Sequence, residues 1–178
     1  VVCFNGEIYN FRSIRKKLEL LGFQFYTMSD TEVFAKAYLA WGMKFVKELR
    51  GMFAFIIWDK RSKKFLFGRD RFGIKPLYRC SIEKDKVMFS SEIKAIVEYN
   101  NKAFEPDWNT VSRYLIRSFC DDGQESFFKN IKSIEPSIIG FLVKQKEIQT
   151  KYWELDSRHD RIFRPEEFME KFNETLIA

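Results

Sequence analysis

Met52-Phe53-Ala54-Phe55-Ile56-Ile57-Trp58 is the stretch of the sequence that decides the fold. It is apolar at every position, whereas a strand with one face in water would alternate apolar and polar residues. Because such a strand has to be covered on both sides, the stretch predicts a layered structure and not an exposed sheet. Asp59 to Lys64 is then a polar turn, and Phe65 to Arg69 is the returning strand of a hairpin.

Helices and strands are predicted on both sides of this hairpin. Val1 to Phe4 is typical of a buried strand, and Asn10 is placed to cap a helix over about residues 11 to 21. Ser29 and Glu32 have the spacing of a capping box, which predicts a second helix. The other predicted elements are strands at 23–27, 77–80, 86–89, 138–143 and 147–153, helices at 91–99 and 108–119, and a last helix from Pro165.

Composition and charge narrow the classes of function. The chain has 178 residues, of which 46% are hydrophobic, enough for one large or two small domains. No apolar run approaches the ~20 residues of a membrane span, and the start at Val1 is not a signal peptide, so we expect a cytoplasmic protein and no membrane partner. The net charge of +6 is scattered over predicted helix and turn surfaces, which argues against a nucleic-acid partner. A core strand at the very start makes the chain look like an excerpt.

The cysteine and histidine content argues against metal sites and histidine-based catalysis. The three cysteines, Cys3, Cys80 and Cys120, are an odd number without metal spacing, and we expect structural thiols in a reducing compartment. His159 is the only histidine in the sequence. Cys3 occupies an apolar strand position with two residues before its amine, which predicts a buried thiol and not a nucleophile.

The candidate site begins where the first predicted strand ends. Asn5 offers the N–H donors of its amide, and Gly6 offers a backbone N–H with no Cβ to block close approach. Two such donors side by side can hold an oxygen on which negative charge develops, as in an oxyanion hole. Glu7 adds a carboxylate. Asn-Gly is also the preferred dipeptide of a tight hairpin turn, so the residues alone leave both interpretations open.

Five ordered motifs together resemble one family. They are Asn5-Gly6-Glu7-Ile8-Tyr9-Asn10, Ser29-Asp30-Thr31-Glu32-Val33, Gly51-Met52-Phe53-Ala54-Phe55, Arg69-Asp70-Arg71-Phe72-Gly73-Ile74-Lys75-Pro76-Leu77-Tyr78 and Ser91-Glu92-Ile93-Lys94-Ala95. They stand in the order found in the glutamine-hydrolysing asparagine synthetases, and five ordered motifs are far more specific than one. The resemblance is strong from Val1 to about Ala95 and weaker beyond.

The resemblance implies an α+β fold, the αββα sandwich of N-terminal nucleophile hydrolases, here incomplete and followed by the start of a synthetase domain. In such class II glutamine amidotransferases an N-terminal cysteine attacks the side-chain amide of glutamine, and its own α-amine serves as base. The segment with that cysteine is not in this sequence, so the chain alone is expected to be inactive. The ammonia then passes to a synthetase domain that uses ATP, magnesium and aspartate. We therefore expect no cofactor in this chain, and glutamine, its own C-terminal synthetase domain and a homodimer as partners.

Carried over by position, Asn5 and Gly6 resemble the oxyanion hole. Glu7 and Asp30 resemble the residues that bind the substrate glutamine, with the Asp30 carboxylate facing its α-ammonium. The alternative for Asp30 is an interaction with the helix dipole at a first-turn position, worth ~0.3–1 kcal/mol. The alternative for Glu7 is an exposed carboxylate at a strand end.

Other motif residues are expected to be structural. Arg69, Asp70 and Lys75 are interpreted as scaffold or interdomain residues whose charges are satisfied in ion pairs near their loop. Pro136-Ser137 stands where the family usually has Pro-Gly.

The polar segment from Asn100 to Pro106 predicts a soft boundary. We assign residues 1–100 to an N-terminally truncated type-2 glutamine amidotransferase domain, 101–160 to the rest of the glutaminase domain and the connection, and 161–178 to the first helix of the synthetase domain. The expected function is hydrolysis of glutamine to glutamate and ammonia. An amidotransferase acting on another carboxylic acid, or a non-catalytic domain that retains the fold, are the alternatives.

Overall fold

The computed structural model describes residues 1–83, 86–100, 103–118, 123–143, 146–156 and 164–177. Its strands are β1 (Val2–Ile8), β2 (Gly51–Asp59), β3 (Lys64–Arg69), β4 (Tyr78–Glu83), β5 (Lys86–Ser90), β6 (Ile131–Ser133), β7 (Ile138–Val143) and β8 (Lys146–Lys151). Its helices are α1 (Phe11–Leu20), α2 (Asp30–Trp41), a 3₁₀ helix (Gly42–Lys47), α3 (Ile93–Asn100), α4 (Trp108–Arg117) and α5 (Pro165–Ile177). None of the helices in these ranges is long and apolar enough to cross a membrane.

The strands form two antiparallel sheets. The larger sheet has the order β1-β2-β3-β7-β8, and the smaller one has the order β5-β4-β6. Phe53, Ala54 and Phe55 of β2 are all buried, so the prediction of a strand covered on both faces is confirmed. Strands β6, β7 and β8 lie in the same two sheets as the strands that precede Asn100.

Three apolar clusters separate four layers. The first cluster lies on one side of the larger sheet, under α2 and the 3₁₀ helix, and contains the buried rings of Phe34, Phe45 and Phe55. The centroid of the Phe34 ring lies 5.0 Å from the centroid of each of the other two rings. Burying each such ring stabilises the fold by about 1.5–3 kcal/mol. The other two clusters lie between the sheets (Ala54, Phe67, Leu77, Ile134 and Ile138) and between the smaller sheet and α3 (Cys80, Ile96 and Ile131). The αββα sandwich implied by the resemblance is therefore confirmed.

The segment between α1 and α2 is not the strand predicted at 23–27. The structure shows irregular backbone there, held by side chains of the two helices. The Glu32 carboxylate accepts hydrogen bonds from the backbone N–H groups of Tyr26 and Thr27, and the Lys36 ammonium lies 4.3 Å from the centroid of the Phe25 ring. The alternation of Phe23 and Phe25 therefore reflects packing onto helices and not a strand.

The two predicted helix caps differ in outcome. Ser29 caps α2, because its side chain accepts a hydrogen bond from the Thr31 N–H, whereas Glu32 bonds to other residues and completes no capping box. Asn10 precedes α1 without a capping hydrogen bond. Its amide instead donates to the Glu48 carbonyl at 2.9 Å and accepts from the Arg50 N–H at 2.9 Å. Asn10 thus ties the start of α1 to the segment that leads into β2.

The described cysteines lie in opposite environments. Cys80 is buried in the cluster beneath α3, and burial raises the pKa of its thiol. Cys3 is exposed, so the prediction of a buried thiol is wrong for it. Its face of β1, the edge strand of the larger sheet, is left open by the described part of the smaller sheet. Cys120 and His159 lie outside the described residues.

The last helix, α5, begins at Pro165 as predicted. Its apolar side chains Phe168, Phe172 and Leu176 are exposed in this chain. The end of the predicted connection, which precedes this helix, falls partly outside the described ranges, and the assignment of residues 161–178 to a further domain stays a prediction.

Candidate functional site

The open face of β1 carries Asn5 and Glu7. In the register with β2, Asn5 lies opposite Ala54, a residue of the core between the sheets. Paired residues of neighbouring strands point to the same face. The face with Cys3, Asn5 and Glu7 therefore continues the layer between the sheets to the edge, where these side chains are exposed. Because Asn5 and Gly6 stand within a strand, the alternative of a hairpin turn at this dipeptide is wrong.

The side chain of Asn5 meets the segment that joins β5 to α3. Its Nδ2 atom donates a hydrogen bond to the hydroxyl of Ser91 at 3.1 Å, across a sequence separation of 86. The fold thus brings the first motif and the last one together. An amide nitrogen carries two N–H groups. Within the described part of the chain the second one has no hydrogen-bond partner and can donate to a ligand.

Gly6 is required by the neighbouring strand. Its φ is +150°, and a Cβ built there would lie 2.1 Å from the Met52 carbonyl oxygen and 2.6 Å from the Phe53 Cα. Any side chain would push β1 away from β2. Glycine here serves a close approach, as predicted for this position, but the group that approaches is the backbone of β2.

Asp30 fastens the start of α2 to the end of β1. Its Oδ2 accepts the N–H of Ile8 at 3.0 Å, and its Oδ1 accepts the hydroxyl of Thr31 at 3.3 Å. A carboxylate has about four acceptor positions, so capacity for a ligand remains. At about 3.3 Å per strand residue, Ile8 lies roughly 10 Å along β1 from Asn5. The structure therefore places Asn5 and Asp30 at two ends of one strand segment.

Glu7 lies on β1 between Asn5 and Ile8, the residue to which Asp30 bonds. Its side chain is on the exposed face of β1, and it makes no hydrogen bond or ion pair with the residues that the structure describes. Its position is that of an exposed carboxylate, which leaves it available to a ligand at the same face.

Comparison with known proteins decides the family. A family model described as a glutamine amidotransferase domain matches residues 1–153, the greater part of the chain. The chain belongs to the glutamine amidotransferase domain family. Within that family it is related to the glutamine-hydrolysing asparagine synthetases, as the sequence motifs predicted.

Two relatives illustrate the extent of the match. Asparagine synthetase 1 of Bacillus subtilis is 39% identical over 135 residues, which are 76% of this chain and 21% of that protein. An asparagine synthetase of Zea mays is 47% identical over 96 residues, or 54% of this chain and 16% of the relative. The amidotransferase chain thus spans a small part of the length of these curated relatives.

A solved structure supports the fold. The glutamine phosphoribosylpyrophosphate amidotransferase of Bacillus subtilis, in complex with ADP and GMP, superposes with a TM-score of 0.61 at 19% identity. The match covers 85% of this chain and 29% of that one. At this identity the similarity concerns the fold alone.

A second group of motif residues in the amidotransferase domain is turned inward. Asp70 is fully buried, and its carboxylate accepts hydrogen bonds from the N–H groups of Phe53, Phe72, Ile74 and Lys75 at 3.0–3.2 Å. The expectation that its charge is satisfied by an ion pair is therefore wrong, because backbone amides surround it. Its scaffold role is clear from the same contacts.

Arg69 supports the same loop from outside. Its guanidinium donates to the carbonyl groups of Gly73, Lys75 and Ile134 at 2.6–2.7 Å. Arg69 and Asp70 thus stabilise the segment after β3 through hydrogen bonds between their side chains and backbone groups. These contacts explain the Arg-Asp pair of the motif without a ligand.

Ser137 shows how the chain accommodates its departure from the family pattern. It is buried with a φ of +57°, in the left-handed region that favours glycine. Its hydroxyl donates to the Trp153 carbonyl at 2.7 Å, and its N–H donates to the Asp70 carbonyl at 2.8 Å. The turn therefore keeps a conformation suited to glycine and gains a side-chain hydrogen bond.

A cleft of about 650 Å³ lies beside this second group. Arg71, Phe72, Glu135 and Trp153 are among the residues that line it. None of the four candidate site residues of β1 and α2 lines it. In the described part of the chain no group of acidic, histidine or cysteine side chains is arranged to hold a metal ion. The candidate site is thus an open strand face, separate from this cleft.

Proposed function

We propose that this chain is the glutaminase part of an asparagine synthetase. It would hydrolyse glutamine to glutamate and ammonia, and the ammonia would aminate an ATP-activated aspartate in a C-terminal domain. Three asparagine synthetases of Bacillus subtilis, at 33–39% identity, support the proposal. The observation that carries the chemistry is Asn5, whose amide lies on an open strand face with an N–H to spare.

In this proposal each residue of the open face has one task. The Asn5 amide and the Gly6 N–H stabilise the oxyanion formed when a cysteine thiolate attacks the glutamine amide. Asp30 pairs with the α-ammonium of the substrate, and Glu7 contributes a second carboxylate to the binding surface. The tetrahedral intermediate releases ammonia and leaves a thioester, which water hydrolyses to glutamate. We assign the nucleophile to a cysteine outside this chain, since the amine of Cys3 is blocked by two residues.

The proposal extends to the partners of the domain. We place ATP and magnesium with the synthetase domain and assign them no residue of this chain. The exposed apolar side chains of α5, Phe168, Phe172 and Leu176, support the assignment of residues 161–178 to that domain, which would bury them. A homodimer of the whole protein remains part of the proposal.

The Asn5→Ala variant of the full-length protein tests the proposed function. We expect kcat for glutamine hydrolysis to fall about 100- to 1,000-fold with little change in KM, because the lost donor acts on the tetrahedral intermediate. Asparagine synthesis from free ammonia should continue, since that reaction takes place elsewhere.

Cys3→Ala is the matched control, because Cys3 lies two residues away on the same exposed face of β1. It should keep its kcat. Equal losses of glutamine- and ammonia-dependent activity in Asn5→Ala would show that Asn5 is structural, and loss of hydrolysis in Cys3→Ala would contradict the assignment of the nucleophile.

A further inference from the structure

Ser91 lies directly after the smaller sheet, in the short segment that joins β5 to α3. It follows Ser90, the last residue of β5, which lies opposite Tyr78 of β4. The Ser90 hydroxyl accepts the N–H of Glu92 at 3.1 Å, which fixes the turn into α3. Ile96, in the first turns of α3, is fully buried against that sheet. The backbone position of Ser91 is therefore set by β5 and α3, independently of β1.

The amide of Asn5, by contrast, has little else to orient it. It is exposed on an edge strand, and the torsion that turns an asparagine amide about its last bond has broad, weakly preferred values. The hydrogen bond from Nδ2 to the Ser91 hydroxyl directs one N–H toward the smaller sheet. Because the amide is planar, the direction of the other N–H is then fixed as well.

We propose that Ser91 is a positioning residue that orients the Asn5 amide for oxyanion stabilisation; this inference rests on the proposed function. A donor stabilises a developing charge most when its orientation is set before the charge appears, since no reorganisation is then needed. Ser91 acts only through Asn5 and does not touch the substrate. The contact also ties the face of the larger sheet to the end of the smaller one at the site itself.

The expected size of the effect follows from the kind of bond. Loss of one neutral hydrogen bond changes an equilibrium or a rate by about 2- to 12-fold. Ser91→Ala should therefore lower kcat for glutamine hydrolysis by that factor, well below the loss expected for Asn5→Ala. KM for glutamine should not change, because the ground-state substrate does not depend on this donor.

The test uses the full-length protein with four variants: Ser91→Ala, Ser91→Thr, Cys3→Ala and the double variant Asn5→Ala/Ser91→Ala. Ser91→Thr keeps a hydroxyl and should recover kcat. Cys3→Ala changes another side chain on the same face of β1 and should keep kcat. In the Asn5→Ala background, Ser91→Ala should have no further effect on kcat.

The outcomes separate the inference from the proposed function. If the full-length parent does not release glutamate from glutamine, the proposed function fails. If it does and Asn5→Ala leaves hydrolysis unchanged, the role of Asn5 fails, and that of Ser91 with it. If Asn5→Ala lowers kcat but Ser91→Ala does not, only the role of Ser91 fails. A fall in kcat that persists when Ser91→Ala is added to Asn5→Ala also overturns the inference, because Ser91 would then act on folding or on another group.

Discussion

Two groups of motif residues, the face of β1 and the loop after β3, use their polar atoms in opposite ways. In the loop, the buried Asp70 carboxylate is surrounded by four backbone N–H groups. On β1, Glu7 is exposed without a partner among the described residues, and the Asn5 amide has one N–H to spare. The loop residues hold the fold and the strand residues are available to a ligand.

Asp30 stands between these two cases. One oxygen of its carboxylate bonds the backbone of Ile8 and the other bonds the hydroxyl of Thr31, which leaves acceptor capacity on a half-buried group. The comparison therefore predicts which substitutions change stability and which change catalysis or substrate binding, and each of the following experiments tests that division.

The largest effect is expected at Asp70. Asp70→Ala should lower the free energy of unfolding by about 3 kcal/mol or more, because several N–H groups lose their acceptor at about 1–3 kcal/mol each. Urea denaturation measures it. Glu7→Ala, the exposed carboxylate, should stay within about 0.5 kcal/mol of the parent. A loss below 1 kcal/mol for Asp70→Ala would mean that water replaces the carboxylate and that the loop does not depend on it.

Asp30→Asn should separate binding from stability. The asparagine oxygen can still accept the Ile8 N–H, so the melting temperature should hold, whereas loss of the charge should raise KM for glutamine by roughly 1.5–3 kcal/mol in free energy. Asp30→Ala, which also removes the acceptor for Ile8, should lower the melting temperature as well. An Asp30→Asn variant that melts earlier and keeps its KM would place Asp30 with the scaffold.

Substitutions of Ser137 also test the residues that hold the fold, with a smaller expected change in stability. Ser137→Ala keeps the left-handed backbone and loses the bond to the Trp153 carbonyl, whereas Ser137→Gly loses the same bond but relieves the backbone. Since the left-handed conformation costs a residue with a Cβ about 1–2 kcal/mol, Ser137→Gly should be about 1 kcal/mol more stable than Ser137→Ala. Thermal unfolding of both variants measures the difference. Equal stabilities would show that the turn rearranges.

The smallest effect concerns Glu32, which holds the irregular segment before Asp30. Its hydrogen bond with Lys36, and then that with Thr27, lowers its pKa from 4.5 to about 2. A depressed pKa in the folded state stabilises the fold above pH 4.5, and this contribution is lost as the pH falls from 4.5 toward 2. The stability difference between the parent and Glu32→Gln should therefore shrink over that range. Lys36→Met, which removes the main cause, should show the same trend, and a constant difference would contradict it.

Local sequence patterns predicted most helices and strands of this fold. They failed where the outcome depended on which distant segment packs against the residue. The apolar run of β2 required two covering layers, and both are present. The alternation at 23–27 predicted a strand, but the Phe25 ring packs under the side chains of Arg15 and Lys36. Cys3 was expected to be buried because its neighbours are apolar. An apolar run predicts a strand, but it does not show whether a second sheet covers the other face of that strand.

The candidate site shows the same limit. The motifs singled out Asn5, Gly6, Glu7 and Asp30, and the fold places all four along β1 and the start of α2. Nothing in the sequence linked Asn5 to Ser91, because a hydrogen bond across 86 positions depends on how the two sheets meet.

The sequence by itself determined the layered architecture, the family resemblance and the residue types of the site, because apolar periodicity and motif order are properties of neighbouring residues. Only the tertiary structure decided which charged motif residues are enclosed and which are open. Asp70 and Glu7 are both carboxylates in motifs that carry the family resemblance, yet one lies under four backbone amides and the other faces outward. That difference arises because the loop after β3 folds around Asp70 and encloses it together with the N–H of Phe53, whereas the described part of the smaller sheet leaves the edge strand β1 open.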